Sequence, residues 1–133
     1  LRKAASMSNI KDVNNIIEIH KCLGDDVIEN ENGAGIFRNF VHSSRSGVKY
    51  PDPIDITSEV KDFLKTNFDH PFAKHAHYEW IHPFCDGNGR SGKIILAHDM
   101  NFDFDEILNF IGPDYLPNII EMTGKIADLR IKF

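Results

Sequence analysis

The chain has 133 residues, 41% apolar and 26% charged, which is the composition of one ordinary globular domain and not of a disordered or fibrous protein. Lys and Arg number 15 against 20 Asp and Glu, and the resulting net charge of −5 disfavours a protein that coats nucleic acid. Two cysteines exclude a disulfide scaffold, and no apolar run is long enough to span a bilayer. We therefore expect a cytoplasmic protein, with a secreted effector left open as the alternative, and no nucleic-acid or membrane partner.

The residue pattern changes after the first predicted helix. Apolar residues at helical spacing predict a helix over about 9–23, with Ser8 as its N-cap. Residues 29–53 then contain two turn clusters, ENGAG and SRSG, with the strand-like segment IFRNFVHS between them. This pattern favours a short β-hairpin or an irregular flap.

The rest of the chain is predicted to be helical. Helices are expected at about 57–68, from Pro71 to about His82, at 90–100, at 103–110 and from Asp114 to the C-terminus. Proline at position 71 suits the first turn of a helix, because the N–H that proline lacks has no intrahelical partner there. The predicted fold class is mainly α with one small β-hairpin, in a single domain over residues 1–133.

One loop, residues 82–93, carries most of the chemistry, and it reads HPFCDGNGRSGK. Gly87-Asn88-Gly89 can turn backbone N–H groups inward at a helix start, which is a common way to bind phosphate. Arg90 and Lys93 add positive charge beside it. Asp86 is a carboxylate of the kind that holds Mg²⁺ together with substrate phosphates, and His82 is the natural proton acceptor. Together these groups are suited to group transfer from a nucleotide polyphosphate.

The same stretch resembles the signature of the Fic family, His-x-Phe-x-(Asp/Glu)-Gly-Asn-Gly-Arg-x-x-Arg. The matching positions are His82, Phe84, Asp86, Gly87, Asn88, Gly89 and Arg90. The resemblance implies a Fic-type helical bundle that transfers AMP from ATP to a Ser, Thr or Tyr hydroxyl of a target protein. It implies His82 as the base, Asp86 as the ligand of Mg²⁺ or Mn²⁺, the Gly87–Gly89 loop as the phosphate cradle, and Arg90 as the group that stabilises the leaving pyrophosphate. Phe84 would bury its ring and fix the loop.

The resemblance also implies a β-hairpin flap, at about 36–50, that docks the target protein. Arg38 follows Gly35-Ile36-Phe37 at the expected entry to this flap, and we expect it to be a structural ion-pair residue and not a catalytic one. Many Fic enzymes carry an inhibitory motif (Ser/Thr)-x-x-x-Glu-(Gly/Asn), which the sequence does not contain. Control by a separate antitoxin-like protein, control by a segment outside this sequence, and the lack of any such control are all left open, as is the oligomeric state.

Three points keep alternatives open. Lys93 stands where the family has its second arginine, so the two-pronged contact of a guanidinium with phosphate would be lost. Transfer of UMP, phosphocholine or phosphate is an alternative to AMP, and a binding module without turnover is an alternative of another class. His75 and His77, near His82 and Cys85, suggest a zinc site, although positions i and i+2 point to different sides of a helix and burial or surface placement is the simpler expectation.

Overall fold

The computed structural model describes residues 10–23, 34–41, 48–85, 87–101, 103, 105 and 121. Over these residues the chain is mainly helical and forms no β-strand. The helices are α1 (Val13–Leu23), α2 (Ile56–Lys65), α3 (Pro71–Ile81) and α4 (Asn88–Asp99), and a 3-10 turn over Pro53–Asp55 leads into α2. Within the same part of the chain, no helix combines the length and the apolar character needed to cross a membrane.

Helix α1 begins later than predicted because of a local hydrogen-bond exchange. The Asp12 carboxylate accepts a bond of 3.0 Å from the Asn15 N–H, and the Asn15 side-chain oxygen accepts one of 3.1 Å from the Asp12 N–H. This reciprocal pair satisfies two N–H groups at the helix start in the manner of a capping box. Val13 is therefore the first helical residue, in place of the predicted Asn9, and the predicted cap Ser8 lies outside the described residues.

Helix α2 ends three residues before the predicted Phe68. Thr66 is already extended, with φ −77° and ψ 132°, and its hydroxyl donates to the Asp62 carbonyl at 2.6 Å. Phe68 nevertheless packs its ring against Phe63, with centroids 5.7 Å apart, from the loop that follows. Phe68 therefore contributes an apolar contact to α2 although its own backbone is not helical.

The helices enclose one main core. Helix α3 packs against both α2 and α4, and α1 packs against α2 and α4. Helix α3 begins at Pro71 as predicted, and the His70 side chain caps it by accepting a bond of 3.0 Å from the Phe72 N–H. The core side chains, all less than 10% exposed, include Ile16, Ile19, Ile56, Val60, Phe63, Tyr78, Trp80, Ile81, Phe84, Ile94 and Ile95.

Two predictions are tested only in part. Residues 34–41 and 48–50 contain no β-strand, although Lys49 takes part in a β-bridge, and residues 42–47 lie outside the described part, so the predicted hairpin over 36–50 stays a prediction. The two C-terminal helices predicted at 103–110 and from Asp114 onwards also lie almost entirely outside it. Asp105 and Glu121 are helical, as both predictions require.

Candidate active site

His82 stands at the C-terminal end of α3, in a backbone conformation that few residues adopt. Its φ of 49° and ψ of 57° are left-handed, and its N–H closes the helix by donating to the Tyr78 carbonyl at 3.2 Å. For a residue with a side chain this conformation costs roughly 1–2 kcal/mol, so the surrounding structure must hold it in place. It turns the chain sharply out of α3 into the loop that follows.

The loop is anchored by Phe84, as the sequence predicts. Its ring is fully buried and lies parallel to the His20 imidazole of α1, with ring centroids 3.6 Å apart. Phe37 approaches the same ring at 5.3 Å. A buried aromatic contributes a large apolar area to the core, so Phe84 fixes the loop against α1.

Asn88 closes the loop from the other side. Its side-chain oxygen accepts a bond of 2.9 Å from the Phe84 N–H, and its side-chain amide donates one of 2.7 Å to the Phe84 carbonyl. The Asn88 side chain is buried, with 4% of the residue exposed. In this structure it therefore holds loop backbone, and the cradle predicted for phosphate rests on the backbone N–H groups of residues 87–89.

Helix α4 starts where the phosphate cradle is predicted. Gly87 precedes it with a φ of 80°, a left-handed value that glycine adopts freely, and its carbonyl accepts the Ser91 N–H at 3.0 Å. In any α-helix the first N–H groups have no intrahelical partner and face a bound anion favourably. Gly89, Arg90 and Lys93 are exposed at this end of the helix, and Asp86 lies outside the described residues.

Arg38 is buried, and its guanidinium is surrounded by backbone. Nε donates to the His82 carbonyl at 2.6 Å, and the two terminal nitrogens donate to the carbonyls of Phe40, Pro51 and Ile81. Burial lowers the pKa of Arg38, and the Asp52 carboxylate opposes that shift from a longer distance. The expected ion pair is therefore replaced by four carbonyl contacts, which join both ends of the predicted flap to the end of α3.

Tyr50 covers one face of the candidate base. Its ring is parallel to the His82 imidazole, with centroids 4.4 Å apart. The same tyrosine lines a cavity of about 260 Å³. The charged residues that line this cavity are Lys49, Asp52, Asp55 and Glu59, one cation and three carboxylates. The excess of negative charge makes this cavity unfavourable for a polyphosphate. The cations Arg90 and Lys93 stand instead at the start of α4.

A second group of polar side chains lies beneath α4. The His75 Nδ1–H donates to the Gly92 carbonyl at 3.1 Å, and His75 Nε2 lies 3.8 Å from Glu79 Oε1. Burial lowers the pKa of His75 to about 4 and raises the pKa of Glu79 to about 8. The nearby Lys93 ammonium acts in the opposite direction on Glu79 by lowering its pKa, but burial has the larger effect. At neutral pH this is therefore a pair of neutral groups and not a salt bridge.

The zinc site considered for His75 and His77 does not form. His75 turns towards α4, whereas His77 lies among the rings of Phe63, Phe68 and Trp80, 5.6–6.1 Å away between centroids. Across the described ranges, no three or more His, Cys, Asp or Glu side chains group together as metal ligands would. Burial, the simpler expectation, accounts for both histidines.

Sequence reasoning did not assign roles to Tyr50 and Glu79. The spacing of His75 and Glu79 by four residues does place them on one helix face, which is a usable signal. Tyr50 is separated from His82 by 32 positions in the sequence, and no periodic pattern connects them. Its stacking on the imidazole emerges only from the tertiary structure.

The comparisons with known proteins agree with this geometry. A family model described as the Fic/DOC family matches residues 11–98, more than half of the chain, and this range contains α1 to nearly the end of α4. None of the curated proteins matches the sequence. The family match spans the histidine at the end of α3, the glycine-rich loop and the cationic start of α4, and on that basis the chain belongs to the Fic/DOC family.

Proposed function

We propose that this protein is an adenylyltransferase that transfers AMP from ATP to a Ser, Thr or Tyr hydroxyl of a target protein. Membership of the Fic/DOC family supports a transferase of this general type. The observation that carries the proposal is the connection between His82 and the start of α4. A loop of five residues joins them, and Phe84 and Asn88 fix that loop by a buried ring and two backbone bonds.

His82 acts as the base in this reaction. The target hydroxyl loses its proton to the imidazole while its oxygen forms a bond to the α-phosphorus of ATP. The bond between that phosphorus and the bridging oxygen to the β-phosphate breaks, and pyrophosphate leaves with the electron pair. An imidazole is suited to this step because its ordinary pKa lies close to neutral pH.

The start of α4 receives the phosphates. Backbone N–H groups of residues 87–89 and the positive end of the helix dipole attract phosphate oxygens, and Arg90 offsets the charge that builds up on pyrophosphate. Lys93, one helical turn further on, is exposed and supplies a second positive charge. As a point charge it holds phosphate with less geometric definition than the arginine usual in the family.

A divalent cation fits this arrangement. Mg²⁺ commonly binds through one or two carboxylates together with substrate phosphates, and the sequence places one carboxylate, Asp86, directly before the glycine-rich turn. When bound, Mg²⁺ or Mn²⁺ would neutralise phosphate charge.

The target protein is proposed to dock along the segment of residues 36–50. Backbone pairing with a strand would leave sequence selection weak, in keeping with a target segment held mainly through its main chain. Ile36 and Val41 expose 53% and 69% of their surface, which offers apolar contact to such a segment. An antitoxin-like inhibitor protein is a further proposed partner.

One observation favours a second candidate function. Lys93 in place of arginine weakens the expected grip on the terminal phosphate, so the protein could hold a nucleotide or a partner without turnover. Donation of UMP, phosphocholine or phosphate is the alternative within the transferase class. The intact Gly87-Asn88-Gly89 sequence favours AMP over these groups.

A transfer assay with ATP labelled on the α-phosphate tests the proposal. The wild type should place label on protein in a cell lysate when Mg²⁺ is present, and His82→Ala should reduce this transfer by at least about 100-fold. His98→Ala, which removes a histidine of α4 outside the loop, is the matched control and should retain transfer. Label from the γ-phosphate or from UTP would identify one of the other donors.

Two results would contradict the proposal. Transfer that persists in His82→Ala at the rate of the control would remove the histidine from its role. ATP binding without any label on protein, under conditions where both variants are folded by circular dichroism, would favour the binding module.

A further inference from the structure

The orientation of His82 depends on two residues from outside its own helix. Arg38 Nε donates to the His82 carbonyl at 2.6 Å, and the Tyr50 ring stacks on the imidazole at 4.4 Å with an angle of 1° between the planes. The first contact fixes the backbone of His82 and the second constrains its ring. Both residues come from the two described parts of the 36–50 segment.

Tyr50 is itself held firmly. The carbonyl of the residue before it, Lys49, accepts a bond of 3.0 Å from Trp80 Nε1, and the carbonyl of the residue after it, Pro51, accepts a bond from Arg38. Trp80 is 3% exposed and Arg38 is 2% exposed, so both donors belong to the core. The backbone on each side of Tyr50 is thus tied to buried groups, and its ring is presented in a defined position.

His82 lies where its own helix ends, so contacts from other segments bear directly on its position. It is the first residue after α3, it is partly exposed, and its backbone is in the costly left-handed conformation. A side chain there would ordinarily sample several rotamers. Proton transfer in a catalytic site requires an orientation held within about 10–20°, which a parallel ring on one face can impose.

We propose that Tyr50 is the positioning residue of His82, with its ring setting the plane of the imidazole while Arg38 anchors the main chain beneath it. This inference rests on the proposed function, because the orientation of the imidazole affects catalysis only if His82 is the base. The stacking of the two rings can be measured independently of that function. Tyr50 touches neither nucleotide nor target in this role, so its effect falls on the chemical step. The aromatic ring is required and the hydroxyl is not.

The experiment compares Tyr50→Phe with Tyr50→Leu. A stacked aromatic ring shifts the carbon-bound protons of the His82 imidazole upfield in the NMR spectrum, and the signals are assigned with His82→Ala. Tyr50→Phe should keep this shift, whereas Tyr50→Leu should lose it. In the transfer assay, Tyr50→Leu should lower kcat by roughly 10- to 100-fold with KM for ATP within about twofold, and Tyr50→Phe should stay near the wild type.

Two measurements keep the inference falsifiable. In the wild type, nuclear Overhauser contacts between the Tyr50 and His82 rings must be present, and their absence overturns the stacking whatever the variants do. Imidazole shifts that are unchanged in a folded Tyr50→Leu overturn it as well, as does a loss of kcat in Tyr50→Phe equal to that in Tyr50→Leu. If the wild type transfers no label, the proposed function fails, while the NMR results still decide whether Tyr50 orients His82.

Discussion

Gly92 shows how closely single residues determine the packing beneath the site. A Cβ atom on Gly92 would clash with Glu79 Oε1 and would lie 3.1 Å from the Tyr78 ring and 3.3 Å from the His75 ring. These three side chains belong to α3, so the absence of a side chain at position 92 lets α4 approach α3 at this level. In the sequence Gly92 lies within the loop motif, which suggests a turn. In the structure it instead allows the two helices to pack closely.

Replacing Gly92 by alanine should therefore destabilise the protein. Overpacking of this kind costs about 1–3 kcal/mol in the free energy of unfolding, because the buried Glu79 carboxyl and the Tyr78 ring would have to move. Gly89→Ala is the matched control in the same helix. A Cβ there meets nothing within 4 Å, and the better helix propensity should raise stability by up to about 1 kcal/mol. Urea unfolding of both variants measures the difference, and equal effects would contradict the packing argument.

The Glu79 carboxyl makes stability depend on pH in an unusual direction. Burial raises its pKa from 4.5 to about 8, and among the described residues its Oε1 has no hydrogen-bond partner. Between these two values the folded protein keeps a proton that the unfolded chain releases, so a rise in pH favours unfolding. His75 acts in the opposite sense, but only below its ordinary pKa of 6.5, because burial lowers its pKa to about 4.

Glu79→Gln should remove this dependence. The amide is neutral at every pH and close in shape to the protonated carboxyl, so the variant should gain stability relative to the wild type as pH rises from 6.5 to 9. Glu18→Gln, an exposed glutamate of α1, is the control and should follow the wild type. Thermal unfolding across this range provides the measurement. Parallel curves for the wild type and Glu79→Gln would show that the carboxyl is ionised in the folded state.

At the scale of elements, the loop between α3 and α4 is built by side chains that bond to its own backbone. Asn88 belongs to the first turn of α4 and exchanges two hydrogen bonds with the backbone of Phe84, whose ring lies in the core. Ser91, also on α4, accepts or donates a bond of 2.7 Å with the Tyr78 hydroxyl of α3. These contacts set the separation of the two helices and with it the shape of the loop.

Asn88→Ala tests this anchoring. It would leave the buried N–H and carbonyl of Phe84 without their partner, and unsatisfied buried groups cost about 1–3 kcal/mol each. We expect stability to fall by about 2–4 kcal/mol and the affinity for ATP to fall with it, since the cradle of residues 87–89 would lose its support. Asn14→Ala, exposed on α1, should change neither. Unfolding in urea and calorimetry with ATP give both quantities, and a loss of affinity at unchanged stability would instead indicate that the Asn88 amide contacts phosphate.

The bounds of a helix could be predicted where the apolar spacing and the capping residues indicated the same start and end. Helix α3 follows its prediction closely because Pro71 marks the start and the apolar face continues to Ile81. The start of α1 and the end of α2 were misplaced, because side-chain hydrogen bonds decide them, between Asp12 and Asn15 at the start of α1 and from Thr66 at the end of α2. Helix α4 begins at Asn88, two residues before the predicted Arg90, since Gly87 supplies the left-handed turn that starts it. The loop motif was evident from the sequence, but its link to Tyr50 depends on contacts between distant segments.

At the scale of the whole molecule, the proposed ATP is a polyanion, whereas the chain carries a net charge of −5. The long-range field of the protein therefore opposes ATP, and the attraction must come from nearby groups, namely Arg90, Lys93 and the positive end of α4. The acidic cavity beside Tyr50 adds to the negative charge that opposes ATP, in contrast to the positive groups at the start of α4. Nucleotide affinity should consequently be sensitive to the geometry of the few cations at the start of α4.

Lys93→Arg is the substitution that probes this balance. A guanidinium restores two-pronged contact with phosphate at unchanged net charge, and one additional hydrogen bond of about 0.5–1.4 kcal/mol corresponds to roughly two- to tenfold tighter binding of ATP. Because a ligand that binds only the folded state stabilises it, the melting temperature at a fixed ATP concentration should rise further in this variant than in the wild type. Lys61→Arg on α2 makes the same exchange away from the loop and should leave both values unchanged. Equal or weaker affinity of Lys93→Arg by titration calorimetry would mean that position 93 does not contact the nucleotide, and that Arg90 and the helix start hold the phosphates without it.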